Sequence, residues 1–262
     1  MTVCVALMVT MLATFTSCDK IKSESEKELQ QSTLDIPVQV FDVNPLTGLA
    51  KGNDYPEGKR PVAVMINNLP AAMPQTGILN AEVMYEMVTE GGITRLMAVF
   101  TDYNTIPKIG PVRSTRDQFV QFILPMNAVC VHIGSSIYAT EMLRKYQYAT
   151  VDGIFLGTTS FAFDQARSDR GFSNEHCFYT DANLIKQGIA QNAIDENGGT
   201  IKLFNFVNPD QPVRTPTVGV ANKMAFSFSG ASDAAFEYNA QEQVYYKSEF
   251  GTPRGCSGDI KL

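Results

Sequence analysis

Two arginines near the start of a predicted helix have the residue type and spacing of an anion-binding site. Arg113 and Arg116 follow the turn Gly110-Pro111 in the stretch KIGPVRSTRDQF, residues 108–119. The first turn of a helix presents free backbone N–H groups and the positive end of the helix dipole. A cation there costs about 0.3–1 kcal/mol, so the pattern predicts either a carboxylate or phosphate site or pairing with nearby acids. The candidate acids are Glu86, Glu90 and Asp117.

A second group of charged residues lies in the stretch QARSDRGFSNEHCFY, residues 165–179. It holds Arg167, Arg170 and His176 among polar and small residues. A long charged loop that carries one of only two histidines is typical of a functional loop, and a solvated surface loop is the alternative. The other histidine, His132, lies in the apolar run AVCVHI, where we expect a hydrogen-bonded core residue.

Several familiar reaction chemistries lack their motif in this sequence. Ser135 and Ser136 follow Gly134 without the G-x-S-x-G pattern of a nucleophile elbow. Two histidines and no C-x-x-C pair argue against a zinc site. The sequence also lacks the glycine-rich motifs that bind dinucleotides and nucleoside triphosphates. We therefore expect no metal and no cofactor, and no catalytic residue is assigned.

The elements that must position these residues alternate between strands and helices up to about residue 200. Predicted strands cover 62–66, 82–88, 95–102, 128–133 and 151–156, and predicted helices cover 115–124, 137–146 and 182–193. The wholly apolar run VAVMI indicates a strand covered on both faces, and Gly91-Gly92 indicates a hairpin between the next two strands. Ser114 and Asp117 have capping-box spacing, and Pro125 is expected to end or kink the first helix.

From Ile201 onward the pattern changes to short β-type runs separated by Pro, Asn, Gly and Ser. The runs are IKLFNF, TVGV, AFSF, AFEY and VYYKSEF. Together with the alternating first part, they predict a mixed α+β fold. An N-terminal α/β layered domain with a mixed sheet is expected over 44–208. A smaller, incomplete antiparallel β subdomain is expected over 209–262.

The N-terminal residues predict where the protein is located. The apolar run at 3–15 has the length of a signal-peptide core and is short for a membrane span. It leads into Phe15-Thr16-Ser17-Cys18, which has the form of a bacterial lipobox. We therefore predict a signal peptide over 1–17, lipidation of Cys18 and a flexible polar tether over 18–43. A plain cleaved signal peptide and an N-terminal anchor helix are the alternatives.

Composition limits the partners and the covalent chemistry. The chain has 262 residues and a net charge of -6, whereas a general nucleic-acid binder carries a basic face. Beyond Cys4 and Cys18, the cysteines lack the spacing of a metal site or a disulfide framework; they are Cys130, Cys177 and Cys256. Cys130 is predicted to be a buried small hydrophobe, and a Cys130–Cys177 bridge is the alternative.

Several sequence blocks in a fixed order resemble a known family. They are RPVAVMINN at 60–68, EGGITRLMAVF at 90–100, KIGPVRSTR at 108–116 and VHIGSS at 131–136, followed by the arginine-rich loop that ends in His176. Together they resemble the YerB-like bacterial lipoproteins, a family of unknown function. The resemblance covers about 44–250 and implies an envelope lipoprotein with an α/β domain and a smaller β-rich domain.

The sequence also departs from that family at three places. Met73 stands before Pro74-Gln75, where related proteins tend to have an arginine, so one candidate cation is missing. Cys177 follows His176, where Asn is usual. The resemblance stops at about Arg254, as a truncation or a frameshift would cause.

The function that we expect is binding of an anionic envelope ligand, such as a cell-wall fragment or another carboxylate- or phosphate-bearing group. The predicted contacts are Arg95, Arg113, Arg116, Arg167, Arg170 and His176. Expected partners are the bacterial membrane, through the lipid, and a cell-wall component or envelope protein, but not nucleic acid. One alternative is an envelope hydrolase or transferase in which a histidine is the base and arginines stabilise an oxyanion. A protein-interaction module on the membrane face is the other.

Overall fold

The computed structural model describes residues 42–198, 203–206 and 219–250, and the backbone of 252–253, 255–256 and 258–259. The predicted signal peptide, Cys18, nearly all of the tether and the domain boundary at 208/209 lie outside the described residues and stay predictions.

The strand β1, Val62–Asn67, is buried along its whole length. It pairs antiparallel with β3, Thr94–Phe100, on one side and parallel with β4, Val129–His132, on the other. Layers of side chains also cover both faces of β1. A strand enclosed in this way exposes no residue to water, which explains why its sequence is apolar without alternation.

These strands belong to a five-stranded mixed sheet in the order β2-β3-β1-β4-β5. The outer strands are β2, Val83–Val88, and β5, Val151–Asp152. Strands β2 and β3 form the predicted antiparallel hairpin around the turn at Glu90–Gly92. The mixed sheet confirms the predicted fold class.

Five helices accompany this sheet within the described ranges. They are α1 (Asp117–Met126), α2 (Ile137–Lys145), α3 (Gly153–Leu156), α4 (Gln165–Asp169) and α5 (Ala182–Gln191). Alternate residues of β1 point to opposite faces. Ile66 therefore belongs to the apolar cluster that contains Ile185 of α5, and Met65 belongs to the cluster that contains Phe119 of α1.

Three local predictions were wrong. The predicted strand at 151–156 stops after Asp152, because the Asp152 carboxylate accepts from the N–H of Ile154 at 3.0 Å and caps α3. Ser114 does not cap α1, since the N-cap position belongs to Arg116, whose side chain makes no capping bond. Helix α1 runs through Pro125 and ends at Met126, followed by Asn127 in the left-handed region.

The loop predicted at 165–179 and the cysteine alternative also need correction. The loop contains α4, a short 3-10 turn at Asn174–His176 and the strand β7, Phe178–Tyr179, which pairs with β6, Ala162–Phe163. Cys130 and Cys177 are both free and buried, so they form no bridge. The burial of Cys130 in an apolar cluster confirms its predicted role.

The C-terminal part forms the predicted antiparallel sheet. Strands β8 (Lys223–Ser229), β9 (Ser232–Asn239), β10 (Val244–Glu249) and β11 (Thr252–Pro253) pair in the order β11-β10-β9-β8. A further pair is formed by β12, Gly255–Cys256, and β13, Gly258–Asp259. The described residues of two predicted runs, 203–206 and 219–220, form no strand.

A buried ionic cluster joins this second sheet to the first. Lys247 of β10 pairs with Glu86 of β2 and with Glu249, and all three side chains are buried or nearly so. The amide of Asn68 donates to both carboxylates at 3.1 Å. Burial raises the pKa of Glu86, Lys247 lowers it and Glu249 raises it further. One ammonium therefore balances two carboxylates, and Lys247 is needed to keep both of them buried and charged.

Replacing Lys247 with methionine is expected to lower the free energy of unfolding by about 3–5 kcal/mol at pH 7, because two buried carboxylates lose the cation that they share. Urea unfolding measures this change. The pKa of Glu86 is higher in the folded state than its ordinary value of 4.5. The free energy of unfolding therefore falls as the pH rises from 4.5 through the folded-state pKa of this carboxyl. The penalty of Lys247→Met should therefore shrink as the pH falls to about 4.5.

Lys223→Met is the matched control, because Lys223 is exposed on β8. Its unfolding free energy should stay within about 0.5 kcal/mol of that of the unmodified chain. A Lys247→Met penalty that equals this control, or that does not change with pH, would contradict the role given to the cluster.

Candidate functional site

The candidate site lies at the edge of the first sheet where the parallel strands end. Strands β1, β4 and β5 finish there at Asn67, His132 and Asp152. Antiparallel β3 begins at the same edge, because Arg95 is the register partner of Asn67. In open α/β sheets, ligands bind at the carboxyl ends of the parallel strands, so this edge is where the predicted site residues matter most.

Backbone hydrogen bonds place Arg113 and Arg116 at this edge. The N–H of Arg113 donates to the Met65 carbonyl of β1 at 2.9 Å, and the Arg113 carbonyl accepts from Ile133 at 3.1 Å. The N–H of Thr115 donates to Gly134 at 3.0 Å. The chain thus crosses between the ends of β1 and β4 before α1 begins, and this path brings both arginines close to Arg95.

Arg95 is the buried member of this group of three arginines. Its side chain donates through Nη1 to the Ser114 carbonyl at 2.7 Å, while its buried Nε has no hydrogen-bond partner among the described residues. Burial, with Arg116 and Arg113 nearby, lowers the pKa of Arg95 to about 10. Arg95 is still a cation at neutral pH, and it lies within the electrostatic reach of two others.

The other two arginines use exposed carboxylates as counterions. Arg113 pairs with Glu175 at 2.9 Å through Nη2, and its buried Nε has no partner within the described ranges. Arg116 pairs with Glu90, which lowers the pKa of that carboxyl. The Glu90 and Glu175 side chains are 64% and 51% exposed. Three guanidinium groups thus face two solvated carboxylates, which leaves one excess positive charge.

His176 lies beside this group as a neutral donor. Asn67 donates from Nδ2 to Nδ1 of His176 at 2.9 Å, and the side-chain oxygen Oδ1 of Asn67 accepts from the N–H of Leu69 at 3.1 Å. The proton of His176 is therefore on Nε2, which lies 3.8 Å from a Glu175 oxygen. Burial lowers the pKa of His176, Glu175 opposes this shift, and Arg113 and Arg167 add to it; the net pKa lies below its ordinary value, so the neutral ring predominates at neutral pH.

Arg167 and Arg170 are held by the loop in which they lie. Arg167 is buried and donates to the carbonyls of His176, Pro74 and Ala72 at 2.7–2.9 Å. Its guanidinium also stacks 4.2 Å from the Phe172 ring centroid. Arg170 is exposed and donates to the Ala166 carbonyl of its own helix. The structure brings Arg95, Arg113 and Arg116 together, with His176 beside Arg113, whereas Arg167 binds the 72–74 loop and the His176 backbone.

His132 is a hydrogen-bonded core residue, as predicted. Its Nδ1 donates to the Gly134 carbonyl at 2.7 Å, and its Nε2 accepts from the Thr150 hydroxyl at 2.9 Å. Asp152 lies 3.7 Å from Nδ1, but it already accepts from the N–H groups of Gly134 and Ile154. Burial lowers the pKa of His132. The two histidines line different cavities.

A cleft of about 910 Å³ next to the arginines was not predicted from the sequence. It lies between α2, α3 and the ends of β4 and β5, and Ser114, Ser135, Thr140, Gln147, Thr150 and Phe155 are among its lining residues. Ile154 and Phe155 project into solvent beside it, 66% and 84% exposed. A signal for the helix in its wall was present in the sequence, because Asp152 is a helix-capping residue directly before Gly153. The apolar residues that follow are equally typical of a strand and hid this signal.

Comparison with known proteins identifies the family. The family model described as the N-terminal domain of a protein of unknown function, DUF3048, matches residues 46–195. The chain belongs to this family. It is 35% identical over 149 residues to the protein named "Putative lipoprotein YerB" of Bacillus subtilis (strain 168), a match that covers 56% of this chain and 42% of that protein. The matched part thus spans less than half the length of that relative.

A solved structure shares the fold of this DUF3048 member. The crystal structure of the YerB protein from Bacillus subtilis matches with a TM-score of 0.67 and 25% identity over 83% of this chain and 71% of that one. Most of the predicted site residues, from Arg95 to His176, lie within the region matched by the family model. The resemblance stated from the sequence blocks is therefore confirmed.

Two features are absent from the described residues. In the described ranges, no group of three or more His, Cys, Asp or Glu side chains is arranged to hold a metal ion. No helix of those ranges combines the length and the apolar character that crossing a bilayer requires.

Arg167→Gln is expected to lower the free energy of unfolding by about 2–4 kcal/mol, because three carbonyls, two of them in buried contacts, lose a charged donor. The neighbouring exposed change Arg170→Gln is the matched control and should cost less than about 0.5 kcal/mol. Urea unfolding of both variants measures the difference. Equal effects of the two changes would contradict the structural role of Arg167.

Proposed function

We propose that this protein is a cell-envelope lipoprotein that binds a carboxylate or phosphate group of an envelope ligand between Arg95, Arg113 and Arg116. The proposed ligand is a cell-wall fragment that carries such a group. The name of the Bacillus subtilis relative supports the lipoprotein assignment, and the lipobox at residues 15–18 supports lipidation of Cys18 and an extracytoplasmic location.

The observation that carries the binding proposal is the pair of unused donors. The Nε atoms of Arg95 and Arg113 are buried, and within the described residues neither has a hydrogen-bond partner. A buried donor without a partner costs about 1–3 kcal/mol, and more when it is charged. An anion that accepts from these groups would remove that cost, so the free protein is prepared for a ligand.

The two counterions are easy for an anion to displace. Glu90 and Glu175 are more than half exposed, and solvent-exposed ion pairs typically contribute only about 0–1 kcal/mol each. A ligand acid could therefore replace either carboxylate at little cost. The excess positive charge of the three arginines also attracts a ligand anion to the site.

His176 adds a donor that does not depend on charge. Its Nε2–H lies near Glu175, so it would become available to a ligand oxygen when that carboxylate moves. Asn67 keeps the ring in the tautomer that presents this hydrogen. The proposed site thus combines three cations and one neutral donor at the edge of a rigid sheet.

The hydrolase alternative has less support. His132 uses both ring nitrogens within the fold, and His176 accepts through Nδ1 and has Nε2 beside a carboxylate and not a hydroxyl or thiol. Nucleophilic catalysis needs a nucleophile within hydrogen-bond reach of its general base. The only hydroxyl bonded to either histidine in the described structure is that of Thr150, through a buried His132.

The double change Arg113→Ala/Arg116→Ala is expected to weaken binding of muramyl dipeptide and of inorganic phosphate at least about tenfold, because charged donors to the anion are lost. Isothermal titration calorimetry of the full chain at low ionic strength measures the affinity, since salt screens such contacts. The double change Glu90→Gln/Glu175→Gln removes the carboxylates that compete with the ligand, so it should tighten binding of both probes about threefold.

Lys186→Ala/Lys223→Ala is the matched control, because it removes two positive charges from exposed positions. It should leave both affinities unchanged. The proposal would be overturned by a double arginine variant that binds like the unmodified chain, or by an unmodified chain that binds neither probe at millimolar concentration.

A further inference from the structure

We infer that the ligand is a saccharide that carries a carboxylate: the arginines hold the acid, and the neighbouring cleft holds the sugar rings. This inference rests on the proposed function for the acidic group, and it adds the class of molecule to which that group belongs. The cleft, the chemistry of its lining and an exposed aromatic side chain support it.

The cleft adjoins the arginine group at Ser114 and Gly134. Ser114 belongs to both, because its carbonyl accepts from Arg95 at 2.7 Å and its side chain lines the cleft. Gly134 also lines the cleft and is bonded to Thr115, the residue before Arg116. A ligand whose acid lies between the arginines would therefore extend past Ser114 into the cleft. At about 910 Å³, the cleft lies at the large end of the range for small-molecule sites.

The polar lining of the cleft is rich in neutral donors and acceptors. It includes the hydroxyls of Ser114, Ser135, Thr140 and Thr150 and the amides of Gln147 and Asn192. Two charged side chains also line it: the Asp152 carboxylate accepts from the N–H groups of Gly134 and Ile154, and the Arg144 guanidinium pairs with Glu141 at 2.7 Å. Sugar hydroxyls donate and accept hydrogen bonds without charge, and hydroxyl and amide side chains complement them in both roles.

An exposed apolar surface borders this lining. Phe155 is 84% exposed and Ile154 is 66% exposed at the start of α3. Gly153 presses this helix against the core, since a Cβ there would lie 2.7 Å from Ile133 and 2.9 Å from Phe161. The close approach orients the next two side chains outward, although burying a phenylalanine would stabilise the fold by about 1.5–3 kcal/mol.

The two chemistries together match a sugar ring better than a peptide. One face of a pyranose presents C–H groups that stack on the negative face of an aromatic ring, while its edge presents hydroxyls. An extended peptide would instead pair with a free sheet edge. The edge strand nearest to the cleft, β5, is only two residues long, so it offers few backbone bonds to a peptide.

Three probes of similar length separate these possibilities. Hyaluronan tetrasaccharide carries both sugar rings and carboxylates, fully N-acetylated chitotetraose carries uncharged sugar rings alone, and tetraglutamate carries carboxylates without sugar rings. We expect the full chain to bind hyaluronan tetrasaccharide at least about tenfold more tightly than either other probe, as measured by calorimetry. Phe155→Ala should weaken binding of both saccharides about tenfold and leave tetraglutamate unchanged. Arg113→Ala/Arg116→Ala should weaken hyaluronan and tetraglutamate but not chitotetraose.

Phe226→Ala is the matched control, because Phe226 is a half-exposed phenylalanine on β8 of the second sheet. It should bind all three probes like the unmodified chain. Equal binding of tetraglutamate and hyaluronan, with no effect of Phe155→Ala, would overturn the saccharide inference and leave the proposed anion site standing. Failure to bind either saccharide would also overturn the inference. If the unmodified chain also fails to bind tetraglutamate and inorganic phosphate, the proposed function is overturned too.

Discussion

Burial of the strand β1 on both faces is the constraint on which the rest of the structure depends. Val62–Asn67 is enclosed by β3 and β4 at its sides and by helix-borne apolar residues above and below. Such a strand cannot shift its register without moving polar residues into the core. Its carboxyl end is therefore a fixed point. Asn67 orients His176 there, and Asn68 donates to the ionic cluster that joins the second sheet.

The arginines around this fixed point divide into two roles according to their partners. Arg167 is satisfied by three backbone carbonyls and a ring face, so it has a complete environment and organises a loop. Arg95 and Arg113 retain buried Nε groups without partners in the described part of the chain. A buried cation that the fold leaves incompletely bonded is costly. The same residue type can therefore be fully bonded within the fold in one case and keep a buried donor without a partner in another.

Apolar periodicity predicted most elements of the first sheet, because buried strands and amphipathic helices differ in period. It predicted β1 and the β2–β3 hairpin, and it placed α1 within about two residues of its observed bounds. It was wrong after Asp152, where Ile-Phe-Leu suits a strand or a helix equally well. A single capping carboxylate decided that case, and its effect depends on a backbone geometry that residue patterns do not contain.

The sequence by itself determined that the chain has a mixed α+β fold, that it belongs beside the YerB-like proteins and that its arginines occur in a few separate blocks. Only the tertiary structure decided which arginines meet. Arg95 lies 18 residues before Arg113 in the chain, yet it joins Arg113 and Arg116 because β3 pairs with β1 and residues 113–115 cross the end of β1. Such convergence arises from strand order and register, which are contacts between distant residues. The cleft beside the arginines has the same origin, since its walls come from α2, α3 and the ends of two strands.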